Sequence, residues 1–423
     1  MLPNPKPEIQ NRIRLTAEEG AWLAGEAGPA IRRAMEIVAA LAQIYGAERL
    51  TPVASVQISG VSYRNIGAAG LAFLRKWADE GASVRVPTTL NPAAMDLEAW
   101  AEQGFDPTFA TQQQAVIAAF ARMGVGGAGG ESGPFPTCTP YLVGNVPRLG
   151  ESVAWAESSA VAYANSVLGA RTNREGGPGA IAAALVGRTG AYGLHLAENR
   201  RATLHVRVRV ALRTISDYSA LGALVGQRAG ARIPYFEGLP LERGAPLWEE
   251  NLKALGAALA ATGAVGVFHV AGVTPEALAG PVLAPAHETT TVADLAPGYA
   301  ALTDAAARPA LIWIGCPHAS LAEIALVAEL VRGKRLRLPL WITCARPVKA
   351  AAVAQGLAGD IAAAGGRLYA DACLAIAPVR DLGFAAVMTP SAKGACYLRN
   401  LAGVSARFGT LEECIHMAVT GGE

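Results

Sequence analysis

Residues 137–176 read TCTPYLVGNVPRLGESVAWAESSAVAYANSVLGARTNREG, and the rest of the chain is organised around them. Val153, Trp155, Ala160, Val161, Ala164 and Val167 fall near helical spacing, with Gly150 and Glu151 at the opening and Gly169 near the end. The centre is therefore predicted to be a helix. Glu157, Ser158, Ser159, Asn165 and Ser166 are embedded in it, where a solvent-facing helix would carry Lys and Glu. Short polar side chains compete with the backbone and fill helices poorly. They are expected to meet a ligand, a cluster or another domain. A buried helix whose Ser and Asn are satisfied internally is the competing reading.

Outward from this stretch, strand and helix patterns alternate. Thr16 and Glu19 form a capping-box pattern, and residues 29–46 put Ile31, Met35, Val38, Leu41 and Ile44 on one helical face. Residues 50–59 read as one buried strand ending in Gly60-Val61-Ser62-Tyr63. A helix over 67–81, a strand over 83–87 and the polar run Thr88-Thr89-Leu90-Asn91 follow, then a helix over 105–122. In open α/β sheets, ligands sit where strands end in this way. The glycine run at 124–130, GVGGAGG, lacks the spacing and the lysine of a nucleotide loop; it reads as the approach to Cys138. Residues 204–212 alternate as a half-exposed strand.

From residue 219 the pattern resets. Helices are expected over 219–229 and 248–262, with a strand over 265–269. A strand over 311–314 feeds Gly315-Cys316-Pro317-His318, and a helix over 320–332 follows. A strand over 340–344 and a helix over 348–364 come next. Residues 367–369 lead to Asp371-Ala372-Cys373, and a last strand over 385–388 feeds Pro390-Ser391-Ala392-Lys393. This alternation marks parallel sheets flanked by helices. The expected fold is α/β, with two or three domains whose strand ends face a common cleft. Residues 1–215 form an N-terminal part and 216–423 a C-terminal part.

The chain has 423 residues, 52% hydrophobic and 17% charged, with a net charge of +2. That balance offers no footprint for nucleic acid or an anionic membrane. No apolar run reaches the roughly 18 residues of a spanning helix, and the N-terminus lacks the pattern of a signal or transit peptide. A cytoplasmic location follows as the expectation. Six cysteines with no CxxC pair read as free thiols or metal ligands. Cys138, Cys316 and Cys373 stand beside prolines or at strand ends, where thiolates form and bind metal. Cys344 competes with them; Cys396 and Cys414 read as core. Taken alone, three buried structural thiols fit the pattern as well.

The 137–176 stretch also resembles the signature of aconitase X, a branch of the aconitase superfamily. ISGVSY at 58–63, VPTTLNPAAMD at 86–96, GLHLAENR at 193–200, IGCPHASLAE at 314–323 and SAK at 391–393 match in the same order. The resemblance implies an aconitase-like catalytic region and a hydro-lyase. It implies an iron–sulfur cluster held by Cys138, Cys316 and Cys373, with one iron left open as a Lewis acid for a small hydroxy acid. Ser391 with Lys393 is expected to form a base, and Glu157 is a further catalytic candidate. Ser62, Tyr63, Thr88, Thr89, Asn91, Ser158, Ser159, Asn165, Arg171, Thr172, Asn173 and His318 are the expected substrate contacts. On local sequence alone Lys393 is an ordinary surface lysine and His318 a satisfied loop histidine.

Two departures qualify the match. Aconitase X comes either as one fused chain or as a large chain with a small swivel-domain chain. Only about thirty residues follow the SAK run, so the swivel domain is expected on a separate small subunit, and this chain alone should be inactive. Gln57 stands where the family pattern has a histidine. Two substrates go with the family. The Ala-rich, mesophilic composition favours a bacterial source and cis-3-hydroxy-L-proline, dehydrated to Δ1-pyrroline-2-carboxylate. The two-chain layout favours mevalonate 5-phosphate, whose phosphate would draw on Arg64, Arg148, Arg171, Arg174 or Lys393. Hydroxyproline is the leading expectation. A non-catalytic, cluster-binding scaffold is the third alternative.

Overall fold

A computed structural model describes residues 13–126 and 136–422. Most of the glycine run and the first twelve residues lie outside the described residues. Three parallel sheets carry the fold. The largest orders its strands Arg367–Ala370, Leu340–Cys344, Leu311–Ala319, Ala386–Thr389 and Ser405–Phe408. Its central strand Leu311–Ala319 is buried along its whole length, as expected of a strand covered on both faces. A second sheet orders His269–Val270, Pro234–Glu237, Ala202–Val208 and Leu283–Val292. A third orders Thr88–Leu90, Val56–Ile58 and Ala154–Trp155. Among the described residues no helix is long and apolar enough to cross a membrane.

Several expected elements form as read. Thr16 and Glu19 close a capping box. The helix Pro29–Ile44 buries Ile31, Met35 and Val38 but leaves Ile44 exposed at its end. The helix Leu321–Val331 starts from the Ser320 cap.

Other elements depart from the pattern for identifiable reasons. The single strand expected over 50–59 is two. Leu50–Pro52 pairs antiparallel with Arg188–Gly190, whereas Val56–Ile58 joins the third sheet. Pro52 has no N–H to continue the ladder. The strand expected over 83–87 forms instead at Thr88–Leu90, because these Thr residues are β-branched and buried rather than loop polar groups. The expected 348–364 helix breaks at Gly356, φ 78°, into Arg346–Ala354 and Leu357–Ala364. Ala386–Thr389 is not the last strand: Ser405–Phe408 adds an edge to the large sheet and the helix Leu411–Thr420 follows it.

The organising stretch itself is not one helix. It runs extended through Ala154–Trp155, which pairs with Val56 and Gln57, and turns helical only at Ser158–Tyr163. Glu157 makes the start. Its carboxylate accepts from the Ser159 and Ala160 N–H groups, filling the N-cap role usually taken by Asp or Ser.

Candidate active site

Three strand or loop ends deliver the three thiols to one cavity of about 620 Å³. Cys138 follows Pro136, which bridges to Leu90 at the end of a third-sheet strand. Cys316 lies in the buried central strand of the large sheet, after Gly315. Gly315 has φ 106°, and a Cβ there would meet the Thr343 carbonyl oxygen at 2.0 Å, so only glycine fits. Cys373 follows the edge strand Arg367–Ala370 of the same sheet through Asp371, a non-glycine residue at φ 62°.

Burial raises the Cys138 thiol to about 12 and Cys373 to about 11, and raises Cys316 as well. Lys393 opposes the shift at all three. Among the described residues no three His, Cys, Asp or Glu side chains gather as a single-ion site requires. Cys138, Cys316 and Cys373 line one cavity, and thiolates are the ligands that iron–sulfur clusters take.

Lys393 and Glu157 form the charged wall. Both are nearly fully buried, at 3% and 7% exposure. Lys393 Nζ donates to Glu157 Oε1 and, at 2.9 Å, to Ser159 Oγ. Ser159 Oγ donates in turn to Glu157 Oε2 at 2.6 Å. Burial opposes ionisation of Glu157, but Lys393 and these hydrogen bonds overcome it and hold the carboxyl at about 2. Burial likewise opposes the Lys393 charge, and Glu157 outweighs it, so the ammonium is held above its usual range. Ser158 Oγ lies 3.2 Å from Glu157 Oε1 and 3.3 Å from the Tyr397 hydroxyl. Tyr397 also lines the cavity, completing a row of Lys393, Glu157, Ser158 and Tyr397.

Of the expected residues, Ser62, Asn91, Glu157, Ser158, Lys393 and the three cysteines line this cavity. The buried Oδ1 of Asn91 has no partner among the described residues. Ser391 faces elsewhere. Its hydroxyl donates to the Cys316 carbonyl and caps the next helix at Gly394 N, and it lines a separate cavity of about 310 Å³ behind Cys316. The expected Ser391–Lys393 base is therefore not assembled.

The remaining expected contacts build framework. Thr88 and Thr89 turn their hydroxyls to the Val86 and Val56 carbonyls, and Tyr63 packs edge-on against Phe109. Asn165 donates to the Thr172 and Gly266 carbonyls. Arg171 donates to the His195 carbonyl, and Asn173 binds the backbone of Tyr192 and Leu194. His318 is fully buried behind the thiols.

Sequence reasoning missed Tyr397 and Asn65, which also line the cavity. Tyr397 lies four residues beyond Lys393, one helical turn along the same face, and that spacing was the available signal.

Family models then match nearly the whole chain: the aconitase X first domain over residues 12–198, the second over 202–296 and the third over 309–420. The chain belongs to the aconitase X family. It is 46% identical to the phosphomevalonate dehydratase large subunit of Methanothermobacter thermautotrophicus, over 93% of this chain and 96% of that one. It is 40% identical to the cis-3-hydroxy-L-proline dehydratase of Pseudomonas aeruginosa, over 96% of this chain but 70% of that one. The crystal structure of Thermococcus kodakaraensis aconitase X in its holo-form superposes with a TM-score of 0.86 at 44% identity, covering 96% of this chain and all of that one. Aconitase X relatives are dehydratases, so the cavity belongs to a hydro-lyase.

Proposed function

We propose that this chain is the large subunit of an enzyme that dehydrates mevalonate 5-phosphate to an anhydro product, working with a small swivel-domain subunit. One observation carries the substrate. Three relatives named phosphomevalonate dehydratase large subunit match at 44–46% identity over nearly their whole length, and two more match at 41% and 35%, whereas the hydroxyproline dehydratases match at 40% and 36% over only 70% and 69% of their longer chains. The name "large subunit" also supports a second chain. Cis-3-hydroxy-L-proline is the second reading, favoured by those two relatives and by the Ala-rich composition.

Cys138, Cys316 and Cys373 would hold an iron–sulfur cluster. When bound, it would supply a Lewis acid for the substrate hydroxyl and carboxylate. Lys393 provides a fixed positive charge beside that carboxylate, and Glu157 keeps it charged. Dehydration removes a proton from the carbon next to the hydroxyl-bearing one. The C–H electron pair becomes the new double bond, and the hydroxyl leaves as water. Ser158, between Glu157 and Tyr397, gives the abstracted proton a hydrogen-bonded route along the wall. Asn91, whose buried Oδ1 has no partner among the described residues, orients the substrate in the same cavity.

The test is co-production with the small subunit, purification without oxygen, and assay of both substrates side by side. Turnover of mevalonate 5-phosphate alone supports the reading. Turnover of the imino acid alone reverses the substrate. Neither, with no bound iron, removes the dehydratase reading.

A further inference from the structure

His318 is the point at which the three thiol-bearing segments meet. Its backbone N–H lies 3.1 Å from Cys138 Sγ. Its ring Nδ1 lies 3.0 Å from Thr137 Oγ1, one residue before Cys138. Its ring Nε2 lies 2.8 Å from the Ala372 carbonyl oxygen, one residue before Cys373. His318 itself stands two residues after Cys316 in the same buried strand. A carbonyl oxygen can only accept, so Nε2 carries the proton and Nδ1 accepts from the threonine hydroxyl.

Other ties fix the Cys138 and Cys373 loops to the first domain. The Cys138 loop is fixed to the first domain through Thr137 N to the Leu90 carbonyl and Gln57 Nε2 to the Thr137 carbonyl. The Cys373 loop is fixed to the same strand end, with Cys373 N donating to the Ala93 carbonyl and Ala93 N to the Asp371 carbonyl. Both loops thus hang from Leu90–Ala93. The Cys316 strand and the strand before Cys373 share the large sheet of the third domain, with Leu340–Cys344 between them, and His318 bonds the Cys316 strand directly to both loops.

We propose that His318 is a positioning residue that presets the three thiols before any cluster binds. The inference rests on the reading of Cys138, Cys316 and Cys373 as cluster ligands. A preset donor set loses less freedom on binding than three independent loops do. Being fully buried, His318 acts through the cysteines and makes no contact with substrate.

The test uses the iron-free full-length chain and phenylarsine oxide, a trivalent arsenical that is held tightly only by two thiols within bridging distance. His318→Ala is expected to weaken arsenical capture by about tenfold or more, the loss of one to two buried hydrogen bonds. His318→Gln, whose amide can still donate toward Ala372, should recover part of that loss. After anaerobic reconstitution, iron and sulfide per chain and the visible absorption should fall in the same order. Thr137→Val, which removes the Nδ1 partner together with the hydroxyl's bonds to Thr139 Oγ1 and N but keeps the His318 ring and its bond to Ala372, is the milder variant. It decides the matter if His318→Ala does not fold by circular dichroism. Wild-type capture and wild-type iron content in a folded His318→Ala, or in Thr137→Val where that variant decides, would overturn the proposal. A wild-type chain that captures arsenical but takes up no iron or sulfide would overturn the cluster reading instead.

Discussion

Lys393 and Glu157, 236 positions apart in sequence, meet as a buried ion pair that joins the third domain to the first. Glu157 caps the helix that follows it, and Lys393 sits in the first turn of the helix that starts after Ser391. One contact therefore fixes two helix starts and the electrostatics of the cavity. Removing one partner leaves the other charge buried alone, which costs about 3–5 kcal/mol. Lys393→Met and Glu157→Gln should each lower the unfolding free energy by about 3 kcal/mol in urea titrations. The double variant should lose clearly less than the sum. Additive losses would show that the two groups do not depend on each other.

The thiols make a second prediction, read by metal analysis. Cys138→Ala, Cys316→Ala and Cys373→Ala should each lose most of the iron and sulfide bound after anaerobic reconstitution. Cys344→Ala and Cys414→Ala should retain it, because these buried thiols sit in the packed core of the large sheet, away from the cavity. Retained iron in any one of the first three would remove that cysteine from the ligand set.

Acid stability follows from His195. The residue is 5% exposed; its Nδ1 faces Ser152 Oγ at 3.2 Å, and its Nε2 has no partner among the described residues. Burial, reinforced by Arg200 and Arg171, pushes the imidazole from 6.5 down to about 4. Between these values the unfolded chain binds a proton that the folded chain does not. The stabilisation is complete above pH 6.5 and is lost as pH falls toward 4, by up to about 3 kcal/mol. His195→Gln should flatten this limb of the stability–pH curve. An unchanged slope would assign acid sensitivity to another group.

Much of this site was legible because its chemistry is concentrated in short runs. The strand ends before Ser62 and Cys373 could be read from apolar runs that stop at glycine or polar residues, whereas the strand expected over 311–314 runs on through Cys316 to Ala319. The failures share a cause. Thr88, Thr89, Asn165, Thr172 and Asn173 have the residue types of a binding site, but their polar atoms bond backbone groups within the first domain. No local pattern distinguishes a polar side chain that meets a ligand from one that meets a distant carbonyl. The expected pairing of Ser391 with Lys393 is a separate case. Two residues apart at a helix start, they point to opposite sides of the Cys316 wall.

Arg174 is the cation expected to distinguish the two substrates. Of the five cations that could meet a phosphate, only Arg174 and Lys393 line the cavity. Arg64 donates to the Ala377 carbonyl and Arg171 to that of His195, while Lys393 is neutralised by Glu157. Arg174 has no acidic partner among the described residues. It stands beside Gly176, the N-cap of the helix Gly177–Val186, which has no side-chain cap, so the dipole there also favours an anion. Burial pushes the neighbouring Glu175 carboxyl up, against a hydrogen bond from Thr189. Arg174→Gln should raise KM for mevalonate 5-phosphate by about tenfold to a hundredfold, the worth of a charge-assisted hydrogen bond, with a smaller change in kcat. For a substrate without phosphate the same variant should change KM little. Equal KM values for the variant and the parent on the phosphorylated substrate would place the phosphate elsewhere.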